Sequence, residues 1–320
     1  MYLPYLRGRQ NELICLRELL DNNLLSNSIL PIIEPVRYSS TFFSTLSKFI
    51  ENDRDVIVIR NPKVGSFNEE QNSFLYKIEN SDDINNKLHL QKKTYDNILN
   101  DKHILTAYIL DNDILNKCLN GSIEVEDTIL INTNLDLYRE YVQNRNKLNA
   151  RLTINSENDL DDFICGDKVV LRDNFKKAKR NIDYINKPDE IFSVIHNKNK
   201  DMRYKGFSDY SIVGNEYEES GFAPMAVAIH IVYLDNSDIL TVHHFVSDSN
   251  DSIQDPARKF GEAMDKMMNW IKVNSIERTY GLNKLIEYYD AGNFPGLGVI
   301  KKYSIMHHIE LIGNYLEGKK

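Results

Sequence analysis

The run Asp55-Val56-Ile57-Val58-Ile59-Arg60 constrains this chain more than any other stretch. Four consecutive branched apolar residues leave no polar face, which is how a strand reads when both of its sides are covered. Strands of that kind belong to parallel sheets, where a crossover segment must separate each strand from the next. The same alternation runs through the first two-thirds of the chain. Tyr2–Leu6 reads as a strand, and Asn11–Leu20 follows with Leu13, Leu16, Leu19 and Leu20 on one helical face. Ser28–Glu34 with Thr41–Ile50 forms a second unit, and Asp55–Arg60 opens a third, whose helix follows a long polar connection from Asn61 to about Ser81. Ile104–Leu110, Thr128–Ile131, Leu148–Ile154 and Val169–Leu171 supply four more strands, and Ser208–Val213, inside the glycine-framed stretch GFSDYSIVG, supplies the eighth.

Eight such units close into a barrel, whereas an open doubly wound sheet usually carries a glycine-rich first turn, and none follows Leu6. The expected fold is therefore α/β, an eight-stranded parallel β/α barrel of the TIM-barrel kind. After Gly214 the pattern changes. Met225–Leu234 and Ile239–Val246 flank Asp235-Asn236-Ser237-Asp238, a hairpin signal, so residues 215–250 read as a β-hairpin insertion on the mouth side. Asp255 followed by Pro256 opens a helix with Phe260, Met264, Met267, Met268 and Ile271 on one stripe, expected as the eighth barrel helix. Leu282–Tyr289 and Val299–Leu316 make residues 281–320 a C-terminal helical extension, and residues 1–320 read as a single domain.

Function classes narrow by elimination. Thirty-nine Lys and Arg against 47 Asp and Glu give a net charge of −8, so no overall basic field recruits nucleic acid or anionic lipid. Cys15, Cys118 and Cys165 form no CxxC pair and read as buried thiols of a reducing compartment. The apolar run before Arg7 is too short for a signal peptide and no stretch approaches a membrane span, so a cytoplasmic protein is expected. Walker, GxGxxG, GxSxG, HExxH and EF-hand patterns are missing, and the sequence names no cofactor.

Barrel sites lie at the C-terminal ends of the strands. Those ends carry Arg7 and Arg9, Glu34 and Arg37, Arg60 and Asn61, Asp111, Asn132 and Asn134, and Arg172 and Asp173. Arginine forks hold phosphate or carboxylate, and nearby carboxylates serve as bases or metal ligands. Glu34, Asp111 and Asp209 are thus the catalytic candidates, and Arg7, Arg9, Arg60, Arg172 and Tyr210 the ligand-binding ones. Strand alternation sets Asp209, Ser211 and Val213 against Tyr210 and Ile212; Asp209 either faces the mouth or turns the chain after Gly206. His230 can share a strand face with only one of His243 and His244, as a metal pair or as satisfied structural histidines. The run Lys176–Arg180 (KKAKR) is the only dense positive patch, either a solvated helix face or a contact for an acidic partner or nucleic-acid backbone.

Five segments, MYLPYLRGRQNELICLREL at the start, PIIEPV at 31–36, GFSDYSIVG, AVAIHIVYL and FPGLGVIKKYSIMHHIEL, together resemble an uncharacterised bacterial and prophage family related to the phage beta protein family. The resemblance runs from Tyr2 to Leu311 and implies a barrel-like α/β fold and a setting in mobile elements and anti-phage defence loci. It also implies a nuclease-like partner protein encoded nearby. Arg7, Arg9, Glu34, Asp209 and Tyr210 fall inside its segments, which makes them a candidate shared site. Two readings follow: a defence component that binds a ligand or partner through the barrel mouth, and an enzyme acting there on a phosphorylated or nucleotide-like small molecule. A nuclease is disfavoured by the net charge and by the missing compact acid-acid-lysine motif.

Overall fold

The computed structural model describes residues 1–80, 87–144, 148–156, 166–197, 204–219 and 223–319. The chain forms two compact units, the first made of Met1–Leu13, Leu30–Arg172 and Met202–Asp209, the second of Ile14–Ile29, Asp173–Asp201 and Tyr210–Lys320.

The first unit is a closed barrel of eight parallel strands. They are β1 (Tyr2–Leu6), β2 (Ile32–Ile33), β3 (Val56–Ile59), β4 (Ile104–Ile109), β5 (Ile129–Asn132), β6 (Leu152–Ser156) and β7 (Lys168–Arg172), then, beyond a strand β8 (Asp189–Ser193) of another sheet, β9 (Gly206–Asp209). β9 closes the ring by pairing with both β7 and β1. The crossovers hold α1 (Gln10–Asp21), α2 (Ser40–Glu51), α3 (Phe67–Glu79), α4 (Lys87–Leu99), α5 (Asn112–Leu119) and α6 (Leu135–Gln143). Side-chain caps start three of them: Ser39 accepts from Phe42 N, Asp111 from Ile114 N, and Asn134 from Asp136 N and Leu137 N. The polar connection expected after Arg60 is in fact occupied by α3. Its buried residues are Phe67 and Ile78, too few for an apolar stripe to show in the sequence.

Register decides which side chains enter the barrel, because alternation is strict along each strand. Tyr108 and Leu130 face each other across β4 and β5 and pack with Ile114, Cys118, Tyr138 and Tyr141, so their side of the sheet looks outward to α5 and α6. Following the ladders around the ring puts Leu3, Tyr5, Ile32, Ile57, Leu105, Ile131, Ile154, Leu171 and Ser208 in the lumen. Tyr2, Val58, Phe207 and Asp209 lie on the outer face. The eighth strand begins at Gly206, two residues earlier than expected, and stops at Asp209; Ser211–Val213 is a 3-10 turn with Ser211 at φ 51°. Glycine at 206 is a packing requirement, since a Cβ there would lie 2.5 Å from the Met1 carbonyl oxygen.

The second unit holds a three-stranded antiparallel sheet, ordered β10 (Ala228–Leu234), β11 (Leu240–Val246) and β8. The expected hairpin is present, with Asp235 Oδ1 accepting from Ser237 N and Ile239 N in its turn. Its third strand, β8, escaped the sequence reading because it is an edge strand opening on Asp189-Glu190 with Ile191 exposed. Helices α7 (Pro256–Val273), α8 (Tyr280–Asp290) and α9 (Leu297–Leu316) complete the unit. Asp255 caps α7 as expected, yet α7 is not a barrel helix: Trp270 packs against Tyr233, His243 and Phe245 of the small sheet. α9 is buried from Tyr303 to Gly313 and packs on β10 and α8. Among the described residues no helix is long and apolar enough to cross a membrane. Cys15 and Cys118 are buried, as expected; Cys165 lies outside the described residues.

At Gly281 the α8 backbone touches α9, and a Cβ would lie 2.5 Å from the Tyr303 carbonyl oxygen and 2.8 Å from His307 N. Neither neighbour is a flexible side-chain end. Gly281→Ala is therefore expected to cost the second unit about 2 kcal/mol. An unchanged unfolding midpoint in urea would show that the helices separate freely.

Candidate functional site

At the C-terminal ends of the first four strands, residues from separate elements join into one network. Glu34, the residue after β2, is wholly buried. Tyr5 OH donates to its Oε2 at 2.7 Å, Arg7 pairs with the same oxygen, and the backbone N–H of Lys63 donates to Oε1 at 2.8 Å. The Arg7 guanidinium carbon lies over the Tyr5 ring, 5.1 Å from its centroid, so the two groups that bond Glu34 also contact each other. The Lys63 ammonium pairs with Asp111 Oδ2, while Asp111 Oδ1 caps α5 through Ile114 N at 2.8 Å. Burial alone raises the Asp111 carboxyl, but the Ile114 N–H and Lys63 outweigh it and hold the group below its ordinary value. Asn61 braces the base of the loop, giving Nδ2 to Ile109 O at 2.8 Å and taking Ile109 N on Oδ1 at 2.9 Å.

The two ion pairs differ in character. Arg7 and Glu34 are 12% and 0% exposed, a pair removed from water; Lys63 and Asp111 are 45% and 34% exposed and face solvent. Lys63 was missed by sequence reasoning because it sits in the polar stretch after β3 with no motif around it. Its position three residues past Arg60, in the loop that leaves a strand end, was the available signal.

The other candidates go elsewhere. Asp209 does not aim into the mouth: it lies on the outer face, buried, accepting a hydrogen bond from Tyr2 OH at 2.8 Å, and Tyr2 stacks on Phe207 with centroids 5.1 Å apart. Ser208 takes the lumen position and donates to Leu3 O at 2.6 Å. The expectation failed because alternation fixes faces only once a strand's register is known, and neither Ser211 nor Val213 continues the strand. Arg172 stands opposite Asp209 in the β7–β9 ladder and shares its outward face. Arg60 also points outward, bonding the Leu99 carbonyl at the end of α4 and Thr106 Oγ1 at 3.4 Å. Arg9 lies at the start of α1, its N–H donating to Glu12 Oε2 at 3.3 Å. Tyr210 is buried in the second unit.

The histidines resolve as packing. His230 and His244 are cross-strand partners with Nδ1 atoms 2.7 Å apart, a hydrogen bond in which one ring donates. Burial drives His230 well below the ordinary imidazole value and His244 down to about 4, so the pair is neutral. His243 turns the other way and meets Asp189 at 2.7 Å. Among the described residues no group of three or more His, Cys, Asp or Glu could hold a metal ion. The methionine stripe is core, with Met264 and Met267 fully buried.

No family model, curated protein or solved structure matches this chain.

Proposed function

We propose that the barrel mouth takes a small anionic ligand, bearing phosphate or carboxylate, on Lys63 with Arg7 behind it. The observation that supports this reading is the linked network itself: two cations, held by Glu34 and Asp111, at the strand ends where this fold places its ligands. The buried Arg7–Glu34 pair is a fixture, because breaking such a pair costs about 3–5 kcal/mol. The exposed Lys63–Asp111 pair is worth no more than about 1 kcal/mol, so an incoming anion can take Lys63 at little cost. Asp111, released from Lys63, is then a carboxylate beside the bound ligand, which is what an enzyme acting on a phosphorylated or nucleotide-like small molecule would use as a base.

Calorimetric titration with a panel of sugar phosphates, nucleotides and dicarboxylates tests the proposal. At least one class is expected to bind saturably, and Lys63→Ala to weaken it by about tenfold or more, the equivalent of losing one charge-assisted hydrogen bond. A panel in which Lys63→Ala weakens no member removes the mouth from consideration.

The biological setting we propose, a defence or mobile-element locus in which the chain acts with a nuclease-like protein encoded nearby, rests on the resemblance of the five sequence segments. Co-purification with the product of the adjacent gene from the native operon is the expected result. A chain that elutes alone from that preparation contradicts it.

A further inference from the structure

We propose that the second unit carries a binding site of its own for a small organic phosphate of nucleotide size, independent of the barrel mouth. The site is a cavity of about 620 Å³, within the range of small-molecule pockets and far larger than inorganic phosphate needs.

Among the described residues four cations line it, Lys177, Lys179 and Arg180 from the KKAKR run and Lys301 from α9, against one acid, Glu218. In a chain of net charge −8 this concentration of positive charge runs against the background. Lys177 pairs with Glu218 at 2.8 Å and Arg180 with Asp183 at 2.7 Å, both at the surface, so these partners are exchangeable for a phosphate.

Apolar side chains share the lining. Met225 and Leu297, two of the large hydrophobic residues that remain exposed, both lie in it. Leu297, Ile300, Lys301 and Ser304 follow one another at helical spacing, so a single face of α9 presents apolar surface, a cation and a hydroxyl to the same space. A ligand with an apolar or flat body and an anionic end matches that division.

An independent observation comes from Ser304. It is 1% exposed, it lines the cavity, and its Oγ has no hydrogen-bond partner among the described residues. Buried hydroxyls are normally satisfied, and one left open where a cavity begins marks the place for a polar ligand atom. His230, held neutral beside His244, forms part of the same lining and contributes ring nitrogen without adding charge.

The experiment is titration of the full chain with AMP, inorganic phosphate, adenosine and a short single-stranded oligonucleotide, followed by calorimetry. AMP is expected to bind more tightly than adenosine or inorganic phosphate. Lys301→Glu should weaken AMP binding by tenfold or more, and Ser304→Ala by several-fold without lowering the melting temperature, since that change removes an unsatisfied group. In a Lys63→Ala background AMP should still bind and Lys301→Glu should still weaken it tenfold or more, which separates this site from the barrel mouth. The proposal is overturned if AMP fails to saturate, if Lys301→Glu has no effect, if inorganic phosphate binds as tightly as AMP, or if only the oligonucleotide binds.

Discussion

Acidification from pH 7.5 to pH 5 is expected to destabilise the second unit by roughly 3 kcal/mol, a large share of the 5–15 kcal/mol that holds a typical domain folded. Burial pushes His244 and His307 down to about 4 and His308 to about 3 from an ordinary value of 6.5. The folded state keeps these rings neutral, while the unfolded chain takes up protons as the pH falls through 6.5. More protons bind to the unfolded state in that window, so stability falls with pH. At pH 5 each ring accounts for about 2 kcal/mol, and the three for about 6. His307 shows why its ring resists charging: Nε2–H donates to Val232 O at 2.6 Å and Nδ1 meets Thr279 Oγ1 at 2.7 Å, so both nitrogens are already used by a neutral tautomer.

Glu310 works in the opposite direction. Burial first, and then Glu277, raise its carboxyl to about 7, although the Tyr280 N–H bond favours the anion. The folded state therefore binds this proton before the unfolded chain does, and stability rises as pH falls from 7 towards 4.5, by at most about 3 kcal/mol at pH 5. The histidines win. Trp270, the single tryptophan, packs edge-on against the small sheet and reports this unit by fluorescence. Urea unfolding followed through Trp270 should show a lower midpoint at pH 5 than at pH 7.5, and Glu310→Gln should widen the gap by removing the opposing group. Equal midpoints at the two pH values would refute the assignment of neutral buried imidazoles.

Glu34→Ala is expected to cost the barrel about 3–5 kcal/mol, because it leaves Arg7 as a buried charge without its anion. It also leaves Tyr5 OH and Lys63 N–H without their acceptor. Glu34→Gln keeps the shape and one acceptor and should cost less, about 1–3 kcal/mol. The double change Arg7→Met with Glu34→Leu removes charge and counter-charge together, and most of the loss should return. Denaturant unfolding by circular dichroism measures all three. A loss below 1 kcal/mol for Glu34→Ala would mean that water reaches Arg7 and that the network is a surface feature.

The barrel was legible because burial on both faces writes itself into continuous apolar runs such as Val56–Ile59, and because Leu13, Leu16 and Leu20 repeat at helical period. The catalytic candidates were legible only as positions at strand ends. Glu34 and Asp111 joined the same network, but Asp209 did not, since one residue of register sends a side chain from the lumen to the outer face. Arg60 looked like a mouth residue for the same reason and instead closes the end of α4. Long-range partners carry no local signal: nothing in the sequence ties Lys63 to both Glu34 and Asp111. Similarly, the KKAKR run gave no hint that it shares a cavity with Ser304, more than a hundred residues away.

A ligand at the barrel mouth is read out by backbone amide NMR during titration with the member of the anionic panel whose binding Lys63→Ala weakens. The Lys63 N–H bonds Glu34 and the Ile114 N–H bonds Asp111, so both amides sense any anion that draws Lys63 away. Saturable shifts are expected at Lys63 and Ile114, with the ligand dependence at Ile114 abolished by Lys63→Ala. Saturable shifts confined to residues away from these strand ends, or none at any ligand in the panel, would contradict binding at the mouth.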